Sequence, residues 1–335
     1  MIKNIILTLN LFLLFSCNYK SNTIKTTENN IAFSINNTKV SVLEIDNKIQ
    51  QELYDELYRI YIIRKTVIDN EIKEKVLDLE SNKIGLSKIE YLEKYYKKII
   101  TKDYINNYKI KLDKLPELKR TLKYYDVNTK KGQELLIKGI KKRLLKELID
   151  SLKAIYKPKI YLTPPLPPSI SLEQIHTNYR GNLESDITFI EISDLECSKC
   201  REYYPIYNRI YNKYKDRVKF GFINYSSYAT LSAIALNCAY KQNKFWEMHD
   251  SIMQNKHLLD TNEILSIAKN LNMNLKQFKL DLNKPETTQE IEYNSKLIMQ
   301  YGIYATPTIL INGKPVFDSS SETQIEQIVL NEINK

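Results

Sequence analysis

Cys197 and Cys200 stand with Ser198-Lys199 between them, at the end of an apolar, β-branched run, Ile187-Thr188-Phe189-Ile190-Glu191-Ile192-Ser193-Asp194. Helix-forming residues follow, with Pro205 five positions beyond Cys200 and expected to kink that helix. The pattern predicts a strand, a turn, and two thiols in the first turn of a helix. There, unpaired backbone N–H groups and the positive end of the helix dipole favour an anion. Disulfide exchange is carried out by the thiolate, so a cysteine at that place has a lowered pKa. Cys197 is the expected nucleophile. Cys200, one turn further in, is close enough to attack a mixed disulfide and resolve it. Lys199 is expected to add positive charge beside the thiolate. Half of many zinc sites shows the same spacing, but the chain holds no second CxxC and no His pair, only His176, His249 and His257. No metal and no cofactor are expected, since the sulfurs themselves would carry the electrons.

Two more positions belong to this chemistry. Glu191 lies six residues before Cys197, where a carboxyl group would sit beneath the thiols, partly buried, with a raised pKa suited to moving a proton. The competing reading is an exposed glutamate at a strand end. Thr306-Pro307 comes about a hundred residues later and directly precedes a second strand pattern. A cis bond there would bring its backbone against the CxxC; a trans proline opening a strand is the alternative. Cys238 and the pair Phe245-Trp246 read as core residues.

The elements that must hold these residues alternate. Strands are expected at about 186–193, 218–224, 308–311 and 315–318, and helices at 198–214, 228–241, 245–255, 261–283, 286–300 and 321–333. Asn312-Gly313 is a two-residue hairpin signal joining the last two strands. Upstream lies a different kind of chain. Residues 31–40 alternate weakly around Asn36-Asn37, a hairpin signal. Ser41-Val42-Leu43-Glu44 and Ser87-Lys88-Ile89-Glu90 are capping boxes opening helices. Ile45, Ile49, Leu53 and Leu57 follow the first at i+4 spacing. Leu136, Ile140, Leu144, Leu148 and Leu152 form one stripe of a helix over 134–156. Five of the ten prolines fall between Pro158 and Pro168, a semi-rigid extended spacer.

Charge follows the same division. Residues 18–165 carry 31 Lys and Arg against 20 Asp and Glu, whereas residues 170–335 carry 18 against 20. The basic surplus therefore belongs to the helical half. It reads as a solvated helix surface, with attraction to anionic lipid or acidic unfolded clients as the other reading. Zinc-finger spacing and an aromatic Gly-rich RNA-binding signature are both missing, so no nucleic-acid partner is expected.

The first residues read as a targeting segment. Lys3 supplies a positive charge, and Ile5 to Phe15 is an apolar run too short to span a bilayer comfortably. It ends at Leu14-Phe15-Ser16-Cys17, which resembles a bacterial lipoprotein signal cleaved before a lipidated Cys17. Phe15 is bulkier than that pattern usually allows, and a plain secretory signal is the alternative. With Cys17 set aside, the three remaining cysteines are too few for a disulfide scaffold.

Three ordered segments resemble the DsbA-like branch of the thioredoxin superfamily: residues 189–200, residues 237–250 from Asn237 to Asp250, and Tyr301-Gly302-Ile303-Tyr304-Ala305-Thr306-Pro307-Thr308. The resemblance covers about 170–335. It implies a thioredoxin fold with a helical insertion at about 228–283 and disulfide oxidoreductase activity on exported proteins. By motif position it gives Cys197 the nucleophile role, Cys200 the resolving role, Glu191 the buried acid and Pro307 the cis-proline. Two departures stand out. Family oxidases often carry Pro-His where this chain has Ser198-Lys199, and Thr306 before the proline also occurs in isomerase-type relatives. Residues 34–46, with Ile84-Gly85-Leu86-Ser87 behind them, are similar to the N-terminal helical module of SurA/PrsA-type periplasmic chaperones, which implies client binding; a spacer that holds the redox domain off the membrane is the alternative.

The expected organisation is a signal at 1–16, a polar tether at 17–30, a mostly α-helical domain at 31–157, a Pro-rich linker at 158–169 and an α/β thioredoxin domain at 170–335. The expected function is a lipid-anchored oxidoreductase of the bacterial envelope that forms disulfides in exported, cysteine-containing clients. A quinone-linked membrane partner, implied by the resemblance, would reoxidise it. An isomerase or reductase is the rival with the same chemistry. A holdase lipoprotein with secondary thiols is the rival from another class.

Overall fold

The computed structural model describes residues 30–113 and 129–335. The signal segment, Cys17 and all but the last residue of the tether lie outside the described residues. Two compact units are present among them: residues 30–53 together with 168–335, and residues 54–167.

In the helical unit the sequence stripes become the core. Helix α2 runs Gln50–Lys83, α3 Lys88–Ile99, α4 Lys102–Asp113 and α5 Lys130–Tyr156. Ser87 caps α3 in a complete capping box with Glu90. Gly85 stands between α2 and α3 with φ of +66°, a backbone conformation that excludes most L-residues. All five residues of the α5 stripe are buried. Leu148 and Leu152 pack with Val76 and Leu77 of α2, while Leu136, Ile140 and Leu144 take in Tyr95, Ile99 and Tyr104. Each fully buried aliphatic side chain contributes about 2 kcal/mol.

The other unit begins with a hairpin, β1 (Ile31–Ile35) and β2 (Thr38–Ser41), turning at Asn36 with φ of +53°. Ser41 and Glu44 close the expected capping box at the start of α1 (Val42–Lys48). The i+4 row after it does not form one buried face. Ile49, at φ −125° and ψ 21°, separates α1 from α2. Ile49, Leu53 and Leu57 all stay exposed. Residues 31–53, expected within the helical domain, group instead with the C-terminal half.

That half is built on a five-stranded sheet in the order β3-β5-β4-β6-β7, formed by Asn178–Gly181, Lys219–Asn224, Thr188–Ser193, Thr308–Ile311 and Lys314–Pro315 respectively. Strands β4 and β5 are parallel and every other pair is antiparallel. The edge strand β3, with only four residues around Tyr179, is missing from the sequence reading. The Asn312-Gly313 turn has φ of 49° and 72°, as a type I′ hairpin requires. Helix α6 covers Ser198–Tyr214 and contains Pro205 without ending there. Between β5 and β6 stand α7 (Leu231–Tyr240), α8 (Phe245–Met253), α9 (Thr261–Asn270), α10 (Leu275–Leu282) and α11 (Pro285–Gln300); α12 (Glu322–Ile333) closes the fold. The single helix expected over 261–283 is two. Asn272 adopts φ of +55°, and Asn274 then caps a new helix through Gln277 N–H.

The alternation of β4 divides the core. Ile190 and Ile192 pack with Leu297, Ile298 and Leu310. Phe189, on the opposite face, packs with Tyr207 and Ile210 of α6 and with Ile325 and Val329 of α12. Glu191 and Ser193 share the Phe189 face by the two-residue period of a strand. The carboxyl group is thereby carried into the layer beneath α6. The expected fold class, a helical N-terminal region and an α/β thioredoxin-like domain with inserted helices, is the one observed.

Candidate active site

Cys197 is the N-cap of α6, with extended backbone at φ −70° and ψ 127° and no capping side chain of its own. Its sulfur is half-buried, whereas Cys200 is fully buried in the first turn. Across from them the Thr306-Pro307 peptide bond is cis. The Cys197 Sγ lies 4.0 Å from the Thr306 carbonyl oxygen, 109 residues away in sequence. Strand, helix start and proline loop thus converge on one sulfur.

The two thiols are held in opposite states. Burial is the largest influence on Cys197 and raises its pKa. Hydrogen bonds to the sulfur from the Cys200 backbone N–H, the Thr306 side chain, the Cys200 thiol and the Lys199 backbone N–H outweigh it. The net result is a thiol below its ordinary value. For Cys200, burial dominates and pushes the thiol up to about 12, with the charge of Cys197 acting the same way. Hydrogen bonds with the Ser193 side chain and the Asp194 backbone N–H offset only part of this. One half-buried thiol that ionises readily and one buried thiol held protonated result.

Glu191 is buried in the middle of the sheet, opposite Phe222 of β5 and Ile309 of β6. Desolvation raises its carboxyl to about 7. The Ser193 hydroxyl and the Arg180 charge pull the other way, and Asp250 adds to the rise. The Ser193 hydroxyl donates to Glu191 Oε1 at 2.7 Å. Ser193 also reaches the Cys200 thiol, so one hydroxyl connects the Cys200 sulfur to the acid. Sequence reasoning missed Ser193. The alternation Phe189, Glu191, Ser193 was signal enough to find it.

Lys199 is where expectation and geometry part. Its ammonium pairs with Glu202 Oε2 at 2.9 Å on the exposed side of α6 and also faces the Tyr203 ring. The backbone N–H of Lys199 supports the Cys197 thiolate, not its side-chain charge. The i+3 spacing to Glu202 explains this, because neighbours on one helix face pair more readily than a side chain folds back over the helix end.

A second unforeseen group acts on Glu191 through its charges. The Arg180 guanidinium lies 3.9 Å from the Tyr211 ring and 4.0 Å from the Trp246 ring, and donates to Asp250 Oδ2 at 2.8 Å. His249 Nδ1 is 2.9 Å from the other Asp250 oxygen; burial holds this imidazole below its ordinary pKa. Phe245 and Trp246 pack against the main helical core, and Cys238 is fully buried in it, as the sequence implies. A groove of about 580 Å³ opens beside Ser198, lined also by Glu202, Pro205, Asn208, Met253 and Gln254.

A CxxC at a helix start, facing a cis-proline across a mixed sheet of this order, is the site of a thioredoxin-like domain. Residues 173–331 match the family model described as Thioredoxin, so the C-terminal half of the chain carries such a domain. Among characterised proteins, the chain is similar to the Disulfide bond formation protein D of Bacillus subtilis (strain 168), 24% identical over 169 residues covering 46% of this chain and 75% of that one. It is also similar to the Na(+)/H(+) antiporter NhaA of Herminiimonas arsenicoxydans, 23% identical over 155 residues, 46% of this chain but 24% of the antiporter. The chain thus spans about a quarter of the length of that relative. No helix among the described residues is long and apolar enough to cross a membrane. Among solved structures, that of oxidised BdbD from Bacillus subtilis aligns with a TM-score of 0.43 at 22% identity, covering 51% of this chain and 98% of that one.

Proposed function

We propose that this protein is an exported thiol–disulfide oxidoreductase that introduces disulfides into envelope or secreted proteins. The observation that carries the reading is the half-buried Cys197 sulfur, depressed in pKa and 4.0 Å from the Thr306 carbonyl, backed by a buried Cys200 that stays protonated. In the oxidised couple, a client thiolate attacks Cys197 Sγ and expels Cys200 as a thiolate. Ser193 relays a proton from Glu191 to that sulfur. A second client thiolate then attacks the client sulfur of the mixed disulfide and releases Cys197. Two electrons pass from client to protein: the client thiols give their protons to solvent, Glu191 regains one from it, Cys197 is left as a thiolate and Cys200 as a thiol, and the client leaves with a disulfide. The Thr306 backbone offers the client an extended edge to lie against.

A stabilised Cys197 thiolate favours the reduced couple, which makes the disulfide form an oxidant and supports the oxidase direction over isomerase or reductase. A quinone-linked membrane partner reoxidises the couple in this reading, and lipidated Cys17 keeps the protein at the membrane that holds that partner. The helical unit carries exposed Ile62, Ile63 and Val67 on α2, which favours a second, chaperone-like role in holding unfolded chains.

Reoxidation of reduced, unfolded ribonuclease by wild type and by Cys197→Ser tests the reading, and equal rates overturn it. A reduction potential near about −120 mV supports the oxidase, while one near about −270 mV makes the protein a reductase. Aggregation suppressed by Cys197→Ser as well as by wild type supports the holding role.

A further inference from the structure

The loop that presents Thr306 and Pro307 is gripped at both ends by consecutive residues of one helix. Gln50 Nε2 donates to the Tyr301 carbonyl at 2.6 Å, where the loop begins. Gln51 Nε2 donates to Thr308 Oγ1 at 2.9 Å, where β6 begins. The Thr308 hydroxyl passes the chain on by donating to the Ala305 carbonyl at 2.8 Å, one residue before Thr306. Gln51 and Thr308 are both buried, so this carboxamide and hydroxyl have no water to fall back on. Gln51 Oε1 has no hydrogen-bond partner among the described residues, a cost that the Nε2 contact must offset. Beside Tyr301 the backbones nearly touch: a Cβ on Gly302, whose φ is +73°, would lie 3.0 Å from Gln50 N and 3.1 Å from the Asn47 carbonyl. A glycine there is what lets the loop run under the α1–α2 junction.

We propose that Gln50 and Gln51 are positioning residues for the loop of residues 301–308, so that the segment before the helical unit sets how the Thr306 backbone faces the Cys197 sulfur. The proposal rests on the oxidoreductase reading for its importance but not for its test. A loop pinned at Tyr301 and Thr308 holds Thr306 over Cys197 in one arrangement, with its carbonyl 4.0 Å from the sulfur and its side-chain hydroxyl donating to it. Loosening either end lets the hydroxyl contact lengthen, and the thiolate loses hydrogen-bonding support. Neither glutamine touches the reacting sulfurs. Their effect passes through Thr308 and Tyr301.

The full-length reduced chain decides this through the pH profile of Cys197 alkylation by iodoacetamide, together with its equilibrium against glutathione. Gln51→Met keeps the volume and the helix but removes the amide. It is expected to shift the alkylation profile to higher pH and to lower the thiolate fraction at neutrality by about three- to tenfold, since one pH unit is tenfold in that fraction. Gln50→Met is expected to act in the same direction, and Thr308→Val to match Gln51→Met. Thr308→Ser, which keeps the hydroxyl, is expected to restore the wild-type profile. Glu52→Ala, at the exposed neighbouring position, is the control. Profiles of Gln51→Met and Thr308→Val that superimpose on wild type overturn the clamp. Failure of the wild-type protein to exchange with oxidised glutathione overturns the oxidoreductase reading instead, and the alkylation profiles still decide the clamp.

Discussion

Ser193 Oγ donates to Glu191 Oε1 at 2.7 Å in the buried layer beneath α6, and the same hydroxyl meets the Cys200 thiol. A buried carboxyl group with a pKa of about 7 is half protonated near neutrality, so it can give or take the proton that Cys200 needs as a leaving group or nucleophile. Ser193→Ala removes the connecting atom without changing either end. Release of a mixed disulfide at Cys197 by Cys200 is expected to slow by about tenfold or more, a modest share of what a positioned proton donor supplies. Rapid-quench trapping of the mixed disulfide measures this. Alkylation of Cys197 in the same variant should be unaffected.

The Glu191 carboxyl also writes itself into stability. Its pKa rises from 4.5 in the unfolded chain to about 7 in the folded one. The folded state therefore holds more protons between those values, and stability falls as pH rises from 4.5 through 7. Glu191→Gln removes the penalty. The variant should be more stable than wild type by up to about 3 kcal/mol at pH 8, an upper figure for a 2.5-unit shift, with the gain vanishing below pH 4.5. Urea unfolding of both proteins at pH 4.5 and pH 8 gives the answer; a constant difference across pH would contradict it.

Opposite shifts at the two active-site thiols make them chemically distinct. Reduced protein treated with limiting iodoacetamide at pH 6.5 should be modified at Cys197 alone, with Cys200 protected by burial and a pKa of about 12. Peptide mapping after the quench reads the ratio, which should exceed about a hundredfold given how steeply reactivity follows the thiolate fraction. Comparable labelling of Cys200 would mean that the helix start does not discriminate between them.

Arg180 is held between the Tyr211 and Trp246 rings and paired with Asp250. Arg180→Met keeps much of the packing but takes the guanidinium away from the Asp250 carboxylate, which keeps its contact with His249 Nδ1. We expect a loss of about 2 kcal/mol, between the value of a partly exposed cation–π contact and that of a broken buried pair. Because the Arg180 charge also restrains Glu191, the Glu191 pKa should climb further in this variant. Trp246 is the sole tryptophan, so its emission reports the local change directly.

Much of this is legible in the amino-acid sequence. The strand, CxxC helix, Asn312-Gly313 hairpin and late helices announce themselves through period, caps and turn chemistry, because those signals are local. Glu191 could be placed from its spacing, and its burial then followed from β4 lying between β5 and β6. What stayed hidden depends on contacts distant in sequence. Gln51 meets Thr308 across 257 residues, and Arg180 meets Asp250 across 70. A glutamine in a helical stretch carries no mark of a distant hydroxyl. The edge strand at Asn178–Gly181 was overlooked because four residues around a glycine end do not alternate long enough to register. Lys199 misled because charge counts by where it points, and Glu202 lies nearer along the helix face.

Of the three cysteines described, Cys197 alone meets solvent, while Cys200 and Cys238 are sealed in the apolar interior. In the proposed oxidoreductase, all electron traffic between the couple and the outside would pass through that single atom. Clients and recycling enzymes would queue for the same door, neither docking while the other remained covalently attached. A small electrophile that capped that one sulfur would then silence both half-reactions at once, and the bystander thiol at Cys238 would offer no detour.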